Sequence, residues 1–187
     1  MNNICLKWKS VSLVPYTSKY YNFIFECYQD FSSRCLFTSD ISIKTKKDFW
    51  NIFNNKINDS YHEFMVAIDL NTNNPIGFIN SFDYNSNDGY LNIAIFIDEK
   101  YRKTVFSLET GLIFLNYLFD VYPIRKIYCT VFDYNIDSQN FLNKAGFLLE
   151  GELKEHKYFN GKYHNMKIFV LYRDKLKEIS NKYKYRI

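Results

Sequence analysis

From Leu6 to Val14 apolar side chains alternate imperfectly (Leu6, Trp8, Val11, Leu13) and stop at Pro15, the pattern of a first strand. Thr17 and Ser18 then offer cap hydroxyls to a helix reaching Phe31, with Tyr21, Ile24, Phe25 and Tyr28 at helical spacing. Lys44 to Ile57 repeats that spacing with Phe49, Trp50 and Phe53, and the polar stretch Ser32 to Ile43 between them reads as a loop. From Glu63 the period becomes two. Phe64–Leu70, Ile76–Phe82 and Tyr90–Ile97 read as strands joined by turns at Asn71–Pro75 and Asn85–Gly89, an antiparallel meander. Ser107 to Tyr122 places Leu108, Gly111, Leu112, Leu115 and Leu118 together and stops at Pro123, as a mostly buried helix does. Lys126–Phe132 is a strand, Ser138–Lys144 a short helix closed by Gly146, and Leu148–Tyr158 with Tyr163–Tyr172 a hairpin across Asn160-Gly161. The order β α α β β β α β α β β contains a strand–helix–strand unit, which requires a parallel pairing. The expected fold is therefore α/β, a single mixed, mostly antiparallel sheet with helices on its faces.

A chain of 187 residues, 47% hydrophobic, suits one domain with one core and excludes a disordered or collagen-like protein. No apolar run approaches the ~20 residues that span a bilayer, and MNNICLKWKS lacks the apolar core of a secretory signal, so a cytoplasmic protein is expected. Cys5, Cys27, Cys35 and Cys129 are scattered, and His62, His156 and His164 stand apart from them and from each other. Reduced thiols and no metal site follow. The net charge of +4 is mild. Residues 1–175 read as the domain and 176–187 as a basic, solvated tail carrying Lys177, Lys182, Lys184 and Arg186; nucleic-acid binding would need a denser patch.

Four strings, in this element order, resemble the GCN5-related N-acetyltransferase (GNAT) superfamily, most closely its RimJ/RimL-type branch of ribosomal-protein N-terminal acetyltransferases. They are IGFINSFDYN, IAIFIDEKYRKTVFSLETGLIFLNYLFD, NIDSQNFLNKAGF and EGELKEHKYFNGKYHNMKIFVLYRDKL. Asn135, Ser138, Lys144, Gly146 and Phe147 fall at the family spacing, followed by Glu150-Gly151. The resemblance implies a V-shaped parting of the strands Tyr90–Ile97 and Lys126–Phe132. Pantetheine of acetyl-CoA would pair with the backbone of Ile95, Phe96 and Ile97, and its pyrophosphate would meet Arg102, Lys103, Thr104, Val105, Phe106 and Ser107. Asn135 and Lys144 would complete the cofactor contacts. A helix N-terminus suits a pyrophosphate, because its free N–H groups and positive dipole end attract anions.

Members usually carry glycines in that loop. Here Lys103, Val105 and Ser107 stand where small residues are expected. Either Arg102 and Lys103 pair with phosphate directly and offset the lost backbone approach, or the loop no longer binds CoA. Relatives place a Glu base where this chain has Asn92, which holds a water but takes no proton, and an acidic Tyr where it has Leu142. Ser138 matches a Ser of the RimL-type branch, which by that resemblance would hydrogen-bond the departing thiolate, and it also suits an N-cap. Glu109 complements the helix dipole, and Cys129 reads as packed in mid-strand. Tyr84, Asp83, Tyr158 and Tyr163 would line the acceptor site by the same analogy.

Two functions follow. One is an N-acetyltransferase moving an acetyl or acyl group from acetyl-CoA to a primary amine of a protein N-terminus, an aminosugar or a small molecule by direct attack. The other is a non-catalytic protein of the same fold, such as a partner-neutralising or immunity protein, that has lost the cofactor. A homodimer is compatible with both, and a protein partner belongs to the second.

Overall fold

In the computed structural model, which describes residues 6–37, 42 and 44–185, one sheet holds eight strands. They are β1 (Leu6–Trp8), β2 (Val11–Pro15), β3 (Tyr61–Asp69), β4 (Pro75–Asn85), β5 (Tyr90–Ile97), β6 (Lys126–Phe132), β7 (Leu148–Phe159) and β8 (Lys162–Tyr172). The helices are α1 (Tyr21–Gln29), α2 (Phe31–Phe37), α3 (Lys46–Asp59), α4 (Val105–Val121), α5 (Ile136–Lys144) and α6 (Arg173–Tyr183). Strand order is β1-β2-β3-β4-β5-β6-β8-β7, every pairing antiparallel except β5 with β6. The α/β fold with one mixed sheet is thus the one expected. Cys5, loop residues 38–41 and 43, and Arg186 lie outside the described residues.

Alternation along the strands feeds two apolar layers. Met65, Ala67, Ile79, Leu91 and Ile93 face α4, α5 and α6, while Phe64, Val66, Phe78 and Phe96 face α1 and α3. On the second face Phe64, Phe78 and Phe96 stack across β3, β4 and β5 at centroid distances of 5.5 and 5.0 Å. Offset stacking of this kind adds about 0.5–1.5 kcal/mol per pair beyond burial.

Three segments depart from the sequence reading. The first strand is a hairpin, because its alternation fails at Lys9-Ser10 and Lys9 takes φ 48° to turn β1 onto β2. The expected loop begins with α2, whose first-turn amides at Ser32 and Ser33 are capped by the Asp30 carboxylate at 3.2 and 3.3 Å. That capping also ends the preceding helix at Gln29, short of the expected Phe31.

The basic tail is the third departure. Most of it is α6, with Leu176, Ile179 and Ser180 buried, and Tyr185 beyond it meets Trp8 edge-on at 5.0 Å. The tail carries only one apolar residue per turn between its cations, so its charge hid a narrow docking face. Ser180 Oγ donates to Asn116 Oδ1 on α4 at 3.1 Å. Gly146 admits the helix: a Cβ there would lie 2.3 Å from Ile179 Cδ1, and its φ of +83° also favours glycine. Arg173, at the start of α6, donates to the carbonyls of Phe119, Tyr122 and Ile124 and so satisfies the C-terminus of α4.

Because α6 is part of the core, Leu176→Ala should lower unfolding free energy by about 2–4 kcal/mol in urea titration. A change below about 0.5 kcal/mol would mean a solvated tail.

Candidate active site

β5 and β6 stay together for three pairs only, Tyr90↔Lys126, Leu91↔Ile127 and Asn92↔Tyr128. Beyond them β5 follows β4 through Gly77↔Ile97, while β6 follows β8 through Phe132↔Met166. The two halves of the sheet therefore part, and among the described residues no strand pairs with Ile93–Ile97 on its β6 side. Behind the parting lies a narrow apolar cleft lined by Ile93, Ile95 and Cys129 from the strands and by α4 and α5. An extended chain bearing amides can add to such an edge as a further strand. Cys129 is buried, and that burial pushes its thiol up to about 12, which suits packing rather than nucleophilic attack.

At the open end of the parting stands the N-terminus of α4. Thr104 is its cap, accepting from Phe106 N at 3.3 Å and donating to Tyr101 O. The other first-turn amides, those of Val105 and Ser107 among them, have no partner within the helix. Val105 is helical and 57% exposed, so its β-branch costs no backbone strain. The left-handed residue is Lys103, at φ 60°, a conformation that costs a non-glycine residue roughly 1–2 kcal/mol. Its ammonium pairs with Asp137 on α5 at 3.0 Å, both groups exposed. Arg102 turns inward. Its Nε donates to Ile97 O and its Nη2 to Ser33 Oγ, both at 2.8 Å, and its guanidinium lies over Phe96. Glu109 is buried in α4 and accepts from Ser10 N at 2.8 Å, which anchors the β1–β2 turn rather than facing the cleft.

α5 opens at Ile136, earlier than expected, because Asn135 is the cap: its Oδ1 accepts from Ser138 N at 3.1 Å. Ser138 is thus relieved of capping, and among the described residues its hydroxyl has no hydrogen-bond partner. Asn135 Nδ2 donates to Leu36 O at 3.2 Å, and the neighbouring Tyr134 hydroxyl to Cys35 O at 2.7 Å. With Arg102 on Ser33, these bonds make α2 a strap joining the two parted halves. Nothing in the apolar pattern announces it; the Asp30-Phe31-Ser32-Ser33 cap was the available signal. Lys144 is exposed on the last turn of α5, and Leu142 is buried against the cleft.

Asn92 lies at the root of the parting, and its Nδ2 donates to Asp83 Oδ2 at 3.4 Å. The expected acceptor tyrosines are not brought together. Tyr84 packs on His62 and Tyr122 at 4.7 and 5.5 Å, beside Glu63, which accepts from the hydroxyls of Tyr117 and Tyr122. Tyr158 and Tyr163 pair with each other at 5.2 Å near the β7–β8 turn, more than half exposed and on the opposite side of the hairpin from His164.

Residues 11–148, more than half of the chain, match the family model described as acetyltransferase (GNAT) domain. The chain belongs to the GNAT acetyltransferase family. The SPbeta prophage-derived uncharacterized N-acetyltransferase YokL of Bacillus subtilis (strain 168) is 29% identical over 112 residues, which span 60% of this chain and 63% of that relative. Among solved structures, the spermidine N-acetyltransferase of Vibrio cholerae in complex with CoA and spermine superposes with a TM-score of 0.81 at 20% identity, covering 89% of this chain and 98% of that one. A GCN5-related N-acetyltransferase from Brucella melitensis gives 0.81 at 18% identity over 98% and 85% of the two chains. These structural likenesses establish the GNAT fold.

In this GNAT domain the hairpin is fastened to the β6–α5 junction by Asp133, which accepts from Asn165 N at 2.9 Å and meets His164 Nδ1 at 2.8 Å. Desolvation pushes the Asp133 carboxyl up, but the Asn165 amide and His164 outweigh it and hold the group below its ordinary value of 3.8. A carboxyl depressed in the folded state stabilises the fold above its unfolded pKa, and the effect fades as pH falls through the folded value. Stability of the wild type should therefore drop below about pH 4, and Asp133→Asn should flatten that part of the curve in urea titrations at stepped pH. Parallel curves for the two proteins would disprove the assignment.

Proposed function

We propose that this protein is an acetyl-CoA-dependent N-acetyltransferase acting on a primary amine. The observation that carries the reading is the parting of β5 and β6 after Asn92↔Tyr128, which leaves the Ile93–Ile97 edge open directly before the first turn of α4. Pantetheine amides would take that edge through Ile95, Phe96 and Ile97. The pyrophosphate would take the first-turn amides from Val105 to Ser107, with the Thr104 cap and Phe106 shaping the turn and Lys103 exchanging Asp137 for a phosphate oxygen. Arg102, held by Ile97 O and Ser33 Oγ, fixes the loop from below. Ser138 is the donor to the departing thiolate, because its hydroxyl is unspent while Asn135 does the capping. Asn135 and Lys144 flank the cofactor arm, and Tyr84, Tyr158 and Tyr163 bound the region from which an acceptor approaches. The acceptor classes are a protein N-terminus, as in the RimJ/RimL-type branch, an aminosugar and a small amine. The expected setting is the cytoplasm.

A second reading, a partner-binding protein without catalysis, is favoured by one arrangement: both cations expected for phosphate, Arg102 and Lys103, are engaged within the protein.

Titration calorimetry with acetyl-CoA and desulfo-CoA at two salt concentrations separates the two. The enzyme reading predicts micromolar, salt-sensitive binding, and absence of binding at millimolar ligand would overturn it. Ser138→Ala should then lower kcat by on the order of tenfold to a hundredfold in a thiol-release assay while leaving acetyl-CoA affinity unchanged. Equal kcat for the two proteins would remove Ser138 from the reaction.

A further inference from the structure

Acetyl transfer to an amine requires a proton acceptor, and the position where GNAT relatives place a Glu holds Asn92, whose amide takes no proton. The nearest observation that repairs this is on the neighbouring strand. β4 loses its register between Phe82 and Asn85, and within that irregularity Asp83 adopts φ 49°. Aspartate is among the few residues that visit this conformation, and residues held there cluster at functional sites. The turn brings the Asp83 carboxylate to the Asn92 carboxamide, 3.4 Å from Oδ2 to Nδ2, at the last rung before the strands part. Asp83 is exposed, and among the described residues no cation pairs with it. A second feature points to a polar occupant on the same face. Asn80, two cross-strand pairs along from Phe82↔Asn92, is 3% exposed, and among the described residues its buried Oδ1 has no hydrogen-bond partner.

We propose that Asp83 is the catalytic base of this protein, with Asn92 as the residue that positions its carboxylate; the inference rests on the acetyltransferase reading above. The acceptor ammonium gives one proton to the Asp83 carboxylate, directly or through one water. The freed nitrogen pair forms the C–N bond at the thioester carbonyl carbon, and the C–S bond breaks with its electron pair passing to sulfur. The nitrogen's second proton reaches the thiolate by way of the Ser138 hydroxyl, so the products are the amide, CoA thiol and a proton that Asp83 returns to solvent. The other titratable groups named at this end of the sheet have partners of their own. His62 on β3 stacks on Tyr84, Asp88 binds Asn85 in the β4–β5 turn, and Lys126 on β6 pairs with Glu150 of β7, which Tyr128 also approaches. Tyr90 on β5 takes a hydrogen bond from Asn85.

The test compares wild type, Asp83→Asn and Asp83→Asn/Asn92→Asp by thiol release from acetyl-CoA across pH 5–10, which spans the α-amine pKa of about 8 and reaches the alkylamine value of about 10. The acceptors are an N-terminal peptide, glucosamine and spermidine. Wild type should keep a broad plateau through neutral pH. With spermidine, whose amines titrate near about 10, Asp83→Asn should fall at least a hundredfold at pH 7 and climb about tenfold per pH unit as the amine loses its own proton. With the peptide the rise should level off near about pH 8, and acetyl-CoA affinity by calorimetry should be unchanged. The double variant, with the carboxylate moved one side chain across, should regain the plateau. Turnover by wild type with an unchanged profile in Asp83→Asn, or no recovery in the double variant, overturns the assignment to Asp83 alone. Absence of wild-type turnover with all three acceptors overturns the acetyltransferase reading, and this proposal with it.

Discussion

Everything distinctive in this molecule follows from where the parallel pairing of β5 with β6 stops. Each strand has a stronger claim on its other neighbour: β5 is held by β4 up to Gly77↔Ile97, and β6 by β8 over seven pairs. At Gly77 that hold is so close that a Cβ would sit 2.2 Å from Phe96 O, so the outer half of β5 cannot swing back toward β6 without opening β4. A parallel edge released in this way keeps backbone groups that want partners, and it lies beside an apolar cleft. The site is therefore a consequence of the sheet's two-sided loyalty rather than an addition to it.

A parted sheet needs something to stop it opening further, and three polar contacts with α2 supply it. Ser33 binds Arg102 beyond β5, while the carbonyls of Cys35 and Leu36 accept from Tyr134 and Asn135 beyond β6. Hydrogen bonds of this kind contribute only about 0.5–1.5 kcal/mol each, somewhat more where a charge is involved. Their value is geometric, since they fix the distance between the α4 and α5 N-termini, the two places where anionic and leaving-group chemistry would be handled. The exposed Lys103–Asp137 pair spans the same gap on the outside, and at about 0–1 kcal/mol it is weak enough to exchange for a ligand.

Much of the fold was legible in the sequence because periodicity reports burial, and here burial is orderly: period two from Glu63, period near 3.6 in α3 and α4, and an Asn-Gly turn in the last hairpin. What was missed depends on polar side chains that reach across the chain. α2 is seven residues long and is specified by a cap, α6 hides one apolar residue per turn among lysines, and the β1–β2 hairpin turns within two residues. The site was partly legible. The parted strands and the α4 N-terminus belong to the expected fold, but the conformations of the residues around them do not follow from spacing. The strain sits at Lys103 and not at Val105, Asn135 takes the capping role offered to Ser138, and Arg102 faces inward. Asp83 lay beside an apparent vacancy at Asn92 because a register slip, which no pattern of residue types announces, carried its carboxylate across to the next strand.

The claim that the open β5 edge is the seat of the cofactor is tested most directly by hydrogen exchange at the amides of Ile93–Ile97, with and without saturating acetyl-CoA. The account predicts rapid exchange at the amides facing the parting in the free protein and strong protection there on adding acetyl-CoA, together with protection of the first turn of α4. Unchanged exchange along Ile93–Ile97 with acetyl-CoA bound would contradict it.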